Sequence, residues 1–160
     1  MNSLADSGAL ESLVTRLGKL HPERPRAWGR MTPNEMLCHL ADSFELALRE
    51  HAFGPADTWI LRTVVKYVVL RTVLKYVVLR TSYPWPRGAK TLPEVEQGKG
   101  GTRPVDFDRD RARLVALMRR FAAPDTKYAS THPFFGPMTR EEWLIWGYRH
   151  TDHHLRQFAL

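Results

Sequence analysis

The chain has a single cysteine, Cys38, in 160 residues. One thiol excludes an intramolecular disulfide and any CxxC metal or redox site, and it fits a reducing compartment. No apolar run reaches the ~20 residues that a membrane-spanning helix needs. The most hydrophobic stretch, residues 61–81, is interrupted by Arg62, Lys66, Arg71, Lys75 and Arg80, so no membrane span is expected. The N-terminus Met1-Asn2-Ser3-Leu4-Ala5-Asp6 has neither a basic n-region nor a long apolar core. No secretory leader is expected, and the protein is read as cytoplasmic. The glycine-rich piece Gly98-Lys99-Gly100-Gly101 lacks the Lys-Ser/Thr end of a phosphate-binding loop. Acidic residues are the minority: 17 Asp and Glu against 24 Lys and Arg leave a net charge of +7. The basic residues are spread along the chain and match no nucleic-acid motif, so nucleic acid is not an expected partner. A non-catalytic basic surface for nucleic acid or anionic membrane is the competing reading that this charge allows.

A chain of this length is long enough to bury a sizeable core, and residues 1–160 are read as one domain. Leu4, Leu10, Leu13, Val14 and Leu17 make an apolar stripe over a first helix at residues 3–18. Thr32, Pro33 and Glu35 form a helix entry with a capping box, and the helix is expected to run to about Glu50. Its apolar face is Met36, Leu37, Leu40, Phe44, Ala47 and Leu48. Residues 61–69 are repeated at 70–78 with one change, Val65 to Leu74. Nine residues are 2.5 helical turns, so equivalent residues of the two copies face opposite ways. The stretch is read as one long helix, apolar nearly all round, whose cationic stems snorkel. A long irregular segment, residues 83–105, follows. Asp106 caps a helix to Ala122, with Phe107, Leu114, Leu117, Met118 and Phe121 facing the core. His132, before Pro133, is expected to be extended and structural. Thr139 and Glu142 cap the last helix, which runs to Phe158. Helical segments without convincing strands point to an all-α fold.

The residues that carry chemistry lie on the last helix. His150 and His154 are four apart, so both imidazoles sit on one face, and Gln157 continues that stripe. Two histidines so spaced can share one transition metal. A third ligand must come from upstream, where spacing does not separate His39, His51 and His132. His39 sits mid-helix among apolar residues, where a polar ring must find a partner. Ser43 is one turn further on and His153 points about 100° away from His154. Three neutral nitrogens from two helices would leave coordination positions open, which favours a ligand-binding over a purely structural site. Zinc suits such a set, with nickel or iron(II) as alternatives. Gln157, Ser43 and His153 are candidates to orient a ligand ring or touch a bound substrate. No residue is assigned as a catalytic acid, base or nucleophile.

The pieces Trp28-Gly29-Arg30-Met31-Thr32-Pro33, Met36-Leu37-Cys38-His39-Leu40, Tyr83-Pro84-Trp85-Pro86-Arg87-Gly88, His132-Pro133-Phe134-Phe135-Gly136 and Tyr148-Arg149-His150-Thr151-Asp152-His153-His154-Leu155-Arg156-Gln157-Phe158 occur together in one order. In this the chain resembles the DinB-like metalloprotein superfamily, and specifically its DUF1569 branch. The resemblance implies a DinB-like four-helix bundle, with an extra short helix or long loops. It also implies a three-histidine metal site on His39, His150 and His154, and a homodimer. Members of that superfamily with known activity include metal-dependent enzymes that use low-molecular-weight thiols. A metal-dependent hydrolase or thiol transferase acting on a small molecule is therefore the expected function. A metal-stabilised bundle without activity is the alternative. The nine-residue duplication is not part of the pattern.

Overall fold

The computed structural model describes residues 2–48, 73, 75–81, 83–88, 92–96 and 98–160. Its helices are α1 (Ser7–Gly18), α2 (Pro33–Ala47), α3 (described over residues 75–80), α4 (Phe107–Ala122) and α5 (Arg140–Arg156). A 3-10 turn, Pro93–Val95, lies between α3 and α4. Two-residue strands, β1 (Thr131–His132) and β2 (Gly136–Pro137), pair antiparallel before α5. The fold is all-α, with that minimal hairpin as its only paired strands among the described residues. No helix among the described residues is long and apolar enough to cross a membrane.

Local chemistry sets the helix starts. Both capping boxes form: Thr32 and Thr139 accept from the backbone of Glu35 and Glu142, whose carboxylates accept from the two threonine N–H groups. Each cap is worth on the order of 1 kcal/mol. The first helix begins at Ser7 rather than residue 3, because the Asp6 carboxylate accepts from the N–H groups of Gly8 and Ala9. Leu4 stays outside that helix and packs as a plug, 1% exposed, its N–H donating to the Leu144 carbonyl at 3.2 Å. α5 ends at Arg156 rather than Phe158, and Gln157 is its C-cap. The far end of the expected second helix, His51 and most of the duplication (residues 61–72 and 74) lie outside the described residues.

α2 packs chiefly on α4, and α1 lies against α5 and α4. Phe44, Phe121, Trp143 and Trp146 meet edge to face at the centre, with Phe44 and Phe121 centroids 4.8 Å apart. The helices approach closely at Gly147: a Cβ there would stand 2.7 Å from Leu4 Cδ1 and 3.0 Å from Phe44 Cε1. The described part of α3 carries apolar residues on its exposed side as well as its buried one. Leu79 is buried, while Val73, Tyr76 and Val77 are exposed. Two of its cations end in ion pairs. Lys75 pairs with Glu142 at 2.9 Å, and Arg80 with Glu141 at 3.7 Å, so both answer the acidic first turn of α5.

Candidate metal centre

Mid-helix α2 and the second half of α5 face one another where His39, His150 and His154 lie. His39 and His154 are buried and His150 is half-buried. Nε2 of His150 stands 3.3 Å from Nε2 of His39 and 3.1 Å from Nε2 of His154. One donor atom from each residue lies within 4.8 Å of the other two, and no other group of His, Cys, Asp or Glu among the described residues is arranged to hold a metal ion.

The outer nitrogens determine how the rings are protonated. Nδ1 of His39 is 2.9 Å from the Val95 carbonyl oxygen. That oxygen only accepts, so Nδ1 carries the proton and the Nε2 lone pair points inward. Nδ1 of His154 is 3.0 Å from Gln157 Oε1, and the same reasoning applies. Nδ1 of His150 is buried without a hydrogen-bond partner. If His150 carried its proton on Nε2, one N–H would face two lone pairs and its Nδ1 lone pair would be buried unpaired. With the proton on Nδ1, that N–H is the unpaired group and three lone pairs converge, the arrangement a cation would satisfy. Burial lowers the pKa of all three rings, and for His150 and His154 the neighbouring imidazoles push it further, well below the ordinary value. Three neutral nitrogens aimed at one point are the form in which histidine binds metal.

The other candidates have different places. Gln157 is buried and holds the His154 ring. Gly29, at φ +88°, makes room for it: a Cβ there would be 3.1 Å from Gln157 Nε2. The Ala27 N–H donates to the Gln157 carbonyl. Ser43 donates its hydroxyl to the His39 carbonyl at 2.7 Å, so it serves the helix backbone and not the ring. His153 points away from the cluster, edge-on to Trp28 at 4.9 Å and 5.7 Å from Trp85; burial drops its pKa to about 4. His132 is not in the cluster. It sits in the hairpin, where its Nδ1 accepts from the N–H groups of Phe134 and Phe135.

Several neighbours have no role in the sequence reading. The Val95 carbonyl is a backbone group and leaves no signal in a sequence. Trp85 stacks 5.8 Å from His150 at 27°, and its indole N–H is held by the Val78 carbonyl. Trp146 lies against the same ring at 5.0 Å, and the Arg87 guanidinium lies over Trp28 at 5.0 Å. Trp28 and Trp85 stood in the motif pieces, but nothing in their spacing gave them this position.

An all-α chain with three histidines converging between two helices defines a class of helical protein with a candidate metal centre. By its sequence, residues 5–160 match the family described as protein of unknown function (DUF1569), and the chain belongs to that family. No curated protein and no solved structure matches it.

Proposed function

We propose that this chain is a divalent-metal-dependent enzyme of the DinB-like superfamily, with His39, His150 and His154 as the ligands and zinc as the ion, ahead of nickel or iron(II). The observation that carries the reading is the pair of Nε2 separations, 3.3 and 3.1 Å. Two zinc–nitrogen bonds of about 2.05 Å at a tetrahedral angle set their nitrogens about 3.3 Å apart. The outer partners of the other two rings support it as well: the Val95 carbonyl and Gln157 Oε1 only accept, which turns the Nε2 lone pairs of His39 and His154 inward.

When bound, a divalent ion supplies Lewis acidity toward water or a thiol. The chain's own residues do the rest. Val95 and Gln157 hold two ligand rings in register, and Trp85 and Trp146 cover His150 and limit water around it. With no carboxylate in the ligand set, the centre keeps a positive charge, which suits an anionic or ionisable small molecule such as a thiol. The reaction is hydrolysis or thiol-dependent transfer on a small-molecule substrate. The reading takes residues 1–160 as one domain.

The test is elemental analysis of protein purified without an affinity tag, with a thermal-shift screen of the zinc-loaded protein against low-molecular-weight thiols. One equivalent of metal is expected, abolished by replacing all three histidines with alanine. Metal content unchanged in that variant ends the proposal. A thiol that shifts the melting point of the zinc-loaded protein alone favours transfer; hydrolysis of an activated ester without thiol favours a hydrolase.

A further inference from the structure

The His39 ring is oriented from 56 residues away, by the Val95 carbonyl at 2.9 Å. That carbonyl belongs to a segment that folds back on itself. The Gly100 N–H donates to the Pro93 carbonyl at 2.9 Å, and those of Lys99 and Gly101 donate to the Glu96 carbonyl, both at 3.1 Å. Gly100 is required there: a Cβ would stand 2.8 Å from Pro93 O and 3.0 Å from Glu94 Cα, both backbone atoms. The far end of the segment is tied to α2 one turn beyond His39. Thr102 gives its N–H and its hydroxyl to the two Asp42 oxygens, each at 2.7 Å. Asp42 is itself buried and held by Arg113 at 3.1 Å. The segment thus touches α2 at two points, the His39 ring and the Asp42 carboxylate, and the Val95 side chain is buried.

We propose that residues 92–96 and 98–102 form a clamp that sets the His39 ring for metal, with Gly100 and Thr102 as positioning residues, and that metal occupancy and clamp order are thermodynamically linked. The inference rests on the three-histidine reading above. A ring that must stay in register for an ion needs its outer nitrogen held, and losing such a partner typically weakens metal binding about 10- to 100-fold. Linkage is reciprocal: if the clamp raises metal affinity, bound metal must stabilise the clamp by the same factor.

Hydrogen exchange, read by mass spectrometry on the untagged chain with and without zinc, tests this together with zinc affinity from chelator competition. The amides of Val95, Lys99, Gly100, Gly101 and Thr102 should exchange several-fold more slowly with zinc, and His150→Ala should erase the effect. Gly100→Ala should weaken zinc binding about tenfold and Thr102→Val about threefold, although neither residue touches the ion. If Gly100→Ala does not fold, Thr102→Val carries the test alone. Zinc bound at one equivalent with unchanged exchange over 92–102 would overturn the clamp and leave the metal site standing. So would variants that melt lower but bind zinc as tightly as the parent, since that is a merely structural role. A parent protein that takes no zinc would overturn the metal reading itself, and the clamp with it.

Discussion

The Cys38 thiol is fully buried on α2, and burial together with the adjacent Asp110 carboxylate pushes its pKa up to about 12. A thiol held protonated is a poor nucleophile. It should therefore resist a disulfide reagent at pH 8 in the native protein and react in denaturant; fast native reaction would contradict its placement. His132 is the corresponding case among the bases. Burial drops its pKa from 6.5 to about 3, and its Nδ1 already accepts two backbone N–H groups, so a proton there would face two donors. The folded pKa lies below the unfolded one. The unfolded chain therefore binds more protons as pH falls, and stability is complete above about pH 6.5 and is lost toward about pH 3. A single group of this kind removes on the order of a few kcal/mol over that window. His132→Asn keeps an acceptor and removes the titration. Urea midpoints measured from pH 7 to 4 should fall less steeply in the variant, even if it starts lower from lost stacking on Phe135.

Helix ends were the most legible elements. Thr32 with Glu35, and Thr139 with Glu142, announce their boxes because the hydrogen bonds are local and span three residues. Asp6 caps without a box, since Ala9 stands where a Glu or Gln would, and the apolar stripe from Leu4 extends the expected first helix past it; Leu4 is a core residue that is not helical. The duplication was harder, since apolar residues on every side say nothing about which face is covered. Partners on α5 decide that for Lys75 and Arg80. Gly147 reads in sequence only as a weak point in a helix. In the fold it lets Leu4 and Phe44 close against α5. Gly147→Ala should cost about 1–3 kcal/mol in urea denaturation, as overpacking in a filled core does. A neutral or stabilising result, as helix propensity alone would give, would show that this contact has slack.

For the molecule as a whole, the candidate centre was half legible. His150 and His154 follow from their spacing on one helix. His39 does not, because its convergence with them depends on how α2 and α5 pack, and only the family resemblance singled it out. Val95, which orients His39, was not legible at all. If the three imidazoles bind an ion in the folded state alone, metal at 100 times its dissociation constant should stabilise the protein by about 2.7 kcal/mol. For a domain of this size that is on the order of 5–10 °C in melting temperature, reversed by a chelator. No change in melting temperature with zinc, nickel or iron(II) would contradict it.

The most direct measurement is a cobalt(II) titration of the untagged chain followed by its visible d–d absorption, since cobalt takes the same nitrogen sites as zinc and reports its own coordination. The account predicts a linear rise that breaks at one equivalent, with intensity typical of a four- or five-coordinate centre, and loss of the signal in each of His39→Ala, His150→Ala and His154→Ala. Absorption of a weak six-coordinate aquo ion, or an undiminished signal in any one of the three variants, would contradict it.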